Sequence, residues 1–451
     1  MKKTGLIMLM LPLSMVVNVV RAQQSEPAEE RGAWTLSECI DYAVVHNIGI
    51  KQSENRQKQQ DLQLNTDRWS RLPSVEASAG QNFSFGRGLT ESNTYTNTNT
   101  SSTSFSLGAS VPLFTGLRIP NAIKLDRLNL EAATADLEKA RNDVRVQVAQ
   151  AYVQALNDME IMGVAMRQVG IDSLQVVRLK AMKDNGKASL AELSQQEATL
   201  EQSRLTATQA DGNRRLALLE LSQLLELRTA EGFSIAVPDT AVSRVLADGV
   251  PAPEAVYADA LGVMPEVKAE QLRLQGSEYS IKIAQSAYYP QLSLSAGLGT
   301  NYYKTSGYKS AGFGKQMQNN FSQYIGLNLS VPLFNRFQTR NSVRSARIDR
   351  LTQQLQLDNV KKNLYKEIQT ACQNAVNARA KLKSCDRALQ SSEAAFSLTQ
   401  AKYENGKATI TEFNEAKNNL MKAQSDLVQA RYECLYQSAL VAFYRGNELS
   451  F

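Results

Sequence analysis

The sequence is poor in the residues that most enzymes use for catalysis and metal binding. Its 451 residues include one histidine, His46, two tryptophans and four cysteines. A single histidine excludes most histidine-based catalytic triads and metal sites. There is no glycine-rich phosphate loop, and the carboxylates are scattered along the chain. We therefore expect no enzymatic activity and no cofactor, and any energy must come from a partner.

The four cysteines also lack the spacing of a metal site. Cys372 and Cys385 lie about 20 Å apart along one predicted helix, too far for a disulfide. Cys372 and Cys434 would lie opposite each other if their helices form a hairpin. A disulfide there stays open, beside the alternative of two buried small side chains.

Long apolar runs are absent except at the N-terminus. Residues 1–22 begin with two lysines, continue with an apolar run from Leu6 to Val20 and end in Val-Arg-Ala. This is the pattern of a secretory signal peptide cleaved after Ala22. No later stretch is apolar enough for a transmembrane helix, so any membrane insertion is expected to use β-strands. The net charge of +6, without a block of lysine or arginine, argues against a nucleic-acid partner.

Short strings recur at a constant distance along the chain. SVPLF occupies Ser110–Phe114 and Ser330–Phe334, and NGKA occupies Asn185–Ala188 and Asn405–Ala408, both 220 residues apart. Earlier matches keep an offset of 217: Lys51 with Lys268, Pro73 with Pro290, and SAG at 78–80 with SAG at 295–297. The ordered matches predict a tandem duplication with one small loop insertion.

Each repeat is predicted to run helix, strand, strand, long helix, helix. The first repeat spans 36–229, with strands at about 74–86 and 103–113 and a helical hairpin at about 117–229 whose tip is 184–188. The second repeat spans 253–447, with strands at about 291–303 and 321–333 and a hairpin at about 337–447 whose tip is 404–408. A linker, 230–252, joins them.

The four strands alternate apolar residues with serine, glycine and asparagine. About ten residues is the length of a tilted strand that crosses a bilayer, and the polar face lacks the lysine and glutamate of a solvated sheet. Four strands cannot close a barrel, so the chain must oligomerise: two copies supply eight strands and three supply twelve. The tracts 86–103 and 300–320 are predicted to be polar surface loops.

The segment after each SVPLF is helical for about 100 Å, too long for a globular core to cover, so it must pair lengthwise with the return helix. Glycine ends the long helix at each tip. A repeated, exposed tip suggests a docking surface. The residues of the two predicted docking tips are Lys183, Asp184, Asn185, Gly186, Lys187 and Ala188, and Glu404, Asn405, Gly406, Lys407 and Ala408.

Four prolines stand where a strand is predicted to meet a helix. Pro73, Pro112, Pro290 and Pro332 occupy corresponding places in the two repeats. Proline has no N–H and a fixed φ, so we expect it to end the strand ladder and redirect the chain. SVPLF is thus predicted to be a structural joint between barrel and helices.

The order of these motifs resembles the TolC family of outer-membrane efflux proteins. The resemblance rests on WTLSECIDYAVVHN from Trp34, SVPLFTG from Ser110, SVPLFN from Ser330 and the paired tips. It implies a mixed α and β membrane protein: a homotrimer whose 12-stranded outer-membrane β-barrel continues into a long α-helical periplasmic barrel, with an equatorial region around 230–252.

The resemblance also implies a function. Such proteins are exit ducts of tripartite efflux or type I secretion systems, and they dock on a periplasmic adaptor joined to an inner-membrane pump of the RND or ABC type. Adaptor contacts in the family fall around the tip glycines, here Gly186 and Gly406 with Lys187 and Lys407. Some members close the tunnel with acidic rings, and the corresponding gate region here contains Glu393, Ser397 and Lys402.

Two other functions are compatible with parts of the pattern. A structural or adhesive periplasmic coiled-coil protein would use the long helices alone, and a passive porin would use the barrel without a pump. The cargo and the particular pump are not encoded in any motif.

Overall fold

The computed structural model describes residues 32–89, 93–238 and 249–449, so the predicted signal peptide and part of the linker lie outside the described residues. The elements in chain order are α1 Leu36–His46, α2 Ile48–Trp69, β1 Ser74–Leu89, β2 Tyr95–Thr115, α3 Arg118–Asp184, α4 Leu190–Leu224, α5 Pro253–Val263, α6 Pro265–Ser286, β3 Gln291–Thr305, α7 Phe313–Asn319, β4 Ser322–Ser330, α8 Gln338–Glu404 and α9 Ile410–Tyr444.

The tandem duplication is confirmed by helix lengths. The helices α1 and α5 each have 11 residues, α2 and α6 have 22, α3 and α8 have 67, and α4 and α9 have 35. Equivalent helices start 217 residues apart before the strands and 220 apart after them, as the string matches predict. The small helix α7 has no counterpart among the described residues of the first repeat.

The four strands form one antiparallel sheet in the order β1-β2-β3-β4. Paired residues of neighbouring strands place their side chains on the same face. One face is apolar throughout, with Ala77 opposite Leu107, Leu107 opposite Leu298, and Ala296 opposite Ile325. The other face carries serine and glycine; there the Ser78 and Ser106 hydroxyls hydrogen-bond at 2.7 Å. The outer edges of β1 and β4 have no strand partner in the described chain.

Strand ends differ from the predicted ones in both repeats. The first hairpin is paired without interruption from Ser74 with Ser110 to Leu89 with Tyr95. Much of the tract predicted to be a loop is therefore strand. Its polarity suggested a loop, but threonine alternating with asparagine suits a strand whose two faces are both polar. In the second hairpin β3 runs on to Thr305, and α7 occupies part of the other predicted loop.

The prolines lie at the junctions, but Pro112 does not end its strand. Pro73 and Pro290 directly precede β1 and β3, whereas Pro332 follows the end of β4. Pro112 pairs with Ser293 beside a register shift, and β2 continues to Thr115. The missing N–H is tolerated because β1 has already ended on that side, so Pro112 sits at a bulge on a locally free edge.

Two left-handed residues turn each SVPLF segment into a long helix. They are Gly116 and Leu117 in the first repeat, with φ of 61° and 66°, and Arg336 and Phe337 in the second, with φ of 55° and 62°. A Cβ on Gly116 would lie 2.5 Å from the Ser286 carbonyl oxygen at the end of α6. The first copy therefore requires glycine, and the exposed second copy tolerates arginine.

The main apolar core lies midway along the helices, where the chain termini meet the linker. Trp34 forms an isolated parallel bridge with Ile235. The Tyr152 hydroxyl lies 2.6 Å from the Ala236 carbonyl oxygen and 3.0 Å from that of Trp34. Leu449 packs into the same core. These contacts fix the described part of the predicted equatorial region against α3.

All four cysteines are free thiols. Cys372 packs in a core with α5 and α6, while Cys434 packs between α8 and α9 with Ala378 and Leu382. Burial raises the pKa of both thiols. The disulfide that the sequence left open is not formed, and the alternative of buried small side chains describes these residues.

Gly116→Ala is expected to destabilise the fold, by about 1–2 kcal/mol for the left-handed backbone and by more where the new Cβ meets Ser286. Arg336→Ala is the matched control, because that residue already has a side chain in the same conformation. Denaturant unfolding of the two purified variants measures the difference. Equal stability of both would contradict the close approach.

A second prediction concerns Asp126, a buried residue of α3. Burial, followed by the neighbouring Asp67 carboxyl of α2, raises the pKa of Asp126 to about 6. The folded state then holds a proton that the unfolded state releases near pH 4, so stability falls as pH rises from about 4 to about 6. Thermal unfolding across this range measures the slope. Asp126→Asn should flatten it, and an unchanged slope would refute the assignment.

Candidate functional site

The two helical tips are the most similar exposed structures in the two repeats. Gly186 and Gly406 have φ of 69° and 70° and end α3 and α8 in the left-handed conformation. The Lys187 N–H donates to the Met182 carbonyl at 2.8 Å, and Lys407 donates to Lys402 at the same distance. The tip residues from Lys183 to Lys187 and from Glu404 to Lys407 are exposed, while Ala188 and Ala408 are half-buried.

Each return helix begins with a capping box. The Ser189 and Thr409 hydroxyls accept from the N–H groups of Glu192 and Glu412, and each glutamate accepts from the N–H of its capping residue at 2.7 Å. The backbone N–H of the cap lowers the pKa of each glutamate. The sequence had left Thr409 and Thr411 as alternatives for the second cap, and the structure uses Thr409.

The second tip also has an aromatic cluster that sequence reasoning missed. The Tyr403 ring stacks on Phe413 with centroids 5.0 Å apart, and Phe396 lies 5.6 Å from Phe413. The Arg178 guanidinium of α3 lies 5.4 Å above the Tyr403 ring and 3.9 Å from the Glu404 carboxylate. The two hairpins therefore contact each other near their tips. No sequence spacing signals this contact, because it joins separate repeats.

The predicted gate residues all lie on α8 and are exposed. Glu393 and Ser397 are on the last turns before the tip, and the Ser397 hydroxyl donates to the Ala394 carbonyl at 2.9 Å. Lys402 lies close enough to Glu412 to lower the pKa of that carboxyl, after the capping interactions. Within one chain these residues do not form a cluster.

The apolar face of the sheet is uncovered in the single chain. Ile325 is 76% exposed, and its neighbours on the same face are also exposed: Val75, Phe105, Leu107, Leu298, Leu327 and Leu329. The polar face is equally open, and the Tyr324 ring lies against Gly297 there. A sheet with an exposed apolar face and a face of serine and glycine can separate lipid from water.

Neither metal chemistry nor a helical membrane span appears in the described ranges. Among them, no three histidine, cysteine or acidic side chains are grouped so as to hold a metal ion. No helix in that part of the chain combines the length and the apolar character needed to cross a bilayer.

Comparison with protein families agrees with this geometry. The family model described as "Outer membrane efflux protein" matches residues 40–226 and 256–446, one segment in each repeat. The chain belongs to the outer membrane efflux protein family. The sheet accordingly lies in the cell outer membrane and the long helices in the periplasm, as the sequence predicted.

Individual members of the outer membrane efflux family are distant relatives. Protein CyaE of Bordetella pertussis is 26% identical over 90% of this chain and 81% of its own length. Outer membrane efflux protein BepC of Brucella suis is 22% identical over 90% and 85%. The Campylobacter jejuni CmeC outer membrane channel superposes with a TM-score of 0.74 at 19% identity, over 92% of this chain and 87% of its own. The overall fold is thus the family fold.

Thr409→Ala should loosen the second tip, because the first-turn N–H groups lose their acceptor. Loss of such a cap costs about 1 kcal/mol, so tip amides should exchange about fivefold faster with deuterium. Thr411→Ala is the control, since Thr411 is exposed on the next turn and the cap is formed by Thr409. Equal exchange in both variants would show that the cap does not stabilise the tip.

Proposed function

We propose that this chain forms the outer-membrane exit duct of a tripartite efflux or type I secretion system. Three copies close a 12-stranded barrel, the helices form a periplasmic tunnel, and the tips dock on an adaptor joined to an inner-membrane pump of the RND or ABC type. Cargo passes without catalysis. The observation that carries the proposal is an open four-stranded sheet continuous with two 67-residue helices that end in exposed tips.

Unpaired strand edges support the assembly of several copies. The outer edges of β1 and β4 present backbone N–H and C=O groups that have no strand partner within the described sheet. In lipid such groups each cost several kcal/mol, so β4 of one copy must pair with β1 of the next. Four strands per chain close at twelve in a trimer, which leaves room for a polar lumen.

The two SVPLF joints support the same arrangement. Gly116 packs against the end of α6 within the chain, but Arg336 has no such neighbour and Phe337 is exposed. Since α2 is the counterpart of α6, the place beside Arg336 fits α2 of an adjacent copy. Exposed apolar residues along α8 fit a helix of that copy as well: Ile348, Leu351 and Leu355.

The names of relatives bear on the cargo class. OpmQ of Pseudomonas putida is described as a pyoverdine export outer membrane protein and is 24% identical over 70% of this chain and 64% of its own length. Export of small molecules or of proteins is consistent with a duct of this kind. The choice between these cargo classes depends on the pump.

Charge reversal at the tips tests docking. Lys187→Glu combined with Lys407→Glu should lower export at least about tenfold, because opposite charge at a docking contact weakens binding by more than about 1.4 kcal/mol. The amount of protein extracted from outer membranes should not change. Lys362→Glu, on the exposed surface of α8 far from the tips, is the control.

Other outcomes separate the alternatives. Unchanged export in the tip variant would refute tip docking. Unchanged sensitivity to exported compounds after deletion, with loss of passive uptake, would favour a porin. Release of the protein from membranes by a salt wash would favour a periplasmic coiled-coil protein.

A further inference from the structure

The contact between the two hairpins contains a fully buried ion pair. The Lys417 ammonium of α9 contacts the Asp172 carboxylate of α3, and both side chains are 0% exposed. In every other ion pair found among the described residues, both partners remain partly exposed. The pair links positions 245 residues apart in sequence, one in each repeat.

A complete set of donors surrounds Asp172. Its Oδ1 accepts from the Gln196 amide at 3.1 Å, and its Oδ2 accepts from the Ser203 hydroxyl at 2.6 Å and the Gln168 amide at 3.1 Å. We call Gln168, Asp172, Gln196 and Ser203 the socket; all four belong to the first hairpin. Lys417 and Asn414 of the second hairpin enter it, and Asn414 donates to Gln196 at 3.2 Å.

The socket exists in only one repeat. At the 220-residue offset that relates the two hairpins, its four members correspond to Ala388, Ser392, Ala416 and Ala423. The inserted residues change too: Lys417 corresponds to Glu197 and Asn414 to Ser194. The hairpins agree in helix length and capping, yet they differ in charge at the place where they meet.

This difference decides which hairpins can pack together. A second hairpin brings a lysine to the buried Asp172, whereas another first hairpin would bring Glu197 to it and bury two carboxylates together. Buried ion pairs contribute little net stability compared with apolar packing, but one unmatched buried charge is strongly destabilising. Their best-attested use is to specify partner and register.

We propose that Asp172 and Lys417 form a pairing key that makes the first hairpin accept a second hairpin and reject another first hairpin. Within a chain the key sets the register of α9 on α3 and α4. Around the helical barrel it enforces alternation of first and second hairpins; this second statement rests on the threefold assembly proposed above. The ligand of the socket is therefore the second hairpin of the same protein.

A disulfide reporter reads this pairing without using export. Gln196→Cys and Asn414→Cys place thiols at two side chains that contact each other in the native arrangement. Cys385, which is half-buried, is replaced by alanine to limit other crosslinks. Oxidation should give an intrachain disulfide when α9 is in place. When two first hairpins meet, it should instead give covalent dimers through the thiols introduced by Gln196→Cys in each copy.

In this background Lys417→Glu should lower the intrachain disulfide at least about tenfold and raise interchain dimers. Combining it with Asp172→Lys reverses the pair and should restore a large part of the intrachain product. Lys381→Met removes an exposed ion pair to Glu433, at 2.8 Å between α8 and α9, and should change nothing.

Normal crosslinking in Lys417→Glu would overturn the proposal. So would a failure of the reversed pair to restore crosslinking while circular dichroism shows intact helices. If Lys417→Glu does not accumulate, the reversed pair decides: recovery of folded protein supports the key, and no recovery refutes it. Loss of export with a normal crosslink pattern would count against the proposed duct instead.

Discussion

The whole architecture depends on satisfying backbone hydrogen bonds at the two edges of a four-stranded sheet. In water an open edge is tolerated, but in a bilayer each unpaired N–H and C=O is costly. The chain cannot close its own sheet, since β1 and β4 lie at opposite ends of it. The proposed trimer satisfies both edges at once. The helices below must then follow the symmetry that the barrel imposes.

Two kinds of contact hold the helical part together. Within a hairpin the seam is apolar and built from small residues, such as Ala207 and Ala210 in the first and Ala430 and Cys434 in the second. Between hairpins, near the tips, the contact is polar and charged, with Asp172 and Lys417 at its centre. Apolar seams provide affinity without selectivity, whereas the buried ion pair selects one partner. A duplicated chain needs that selection, because its two hairpins have the same lengths.

Periodicity and repetition in the sequence predicted most of the fold. Strand alternation, the 220-residue offset and the tip glycines gave the order of elements and the site of the tips, because each is a local signal. Strand ends were wrong where a threonine and asparagine tract was read as a loop, and Pro112 was wrong because a bulge at a free edge tolerates proline.

The contacts between repeats were not predictable in this way. Gln196 stood out as a polar residue in the predicted apolar seam, but its partner Asp172 lies on another helix. Arg178 and Tyr403 meet across 225 residues of sequence. Such pairs depend on how two long helices are rotated about their axes, and one sequence contains no signal for that rotation.

The central claim is that three copies close one barrel, with β4 of each copy paired to β1 of the next. Electron cryomicroscopy of the detergent-extracted protein tests it most directly. The account predicts threefold symmetry, twelve strands and six hairpins that alternate between first and second types around the tunnel. Monomers with an open sheet, or a closed assembly of eight strands from two copies, would contradict it.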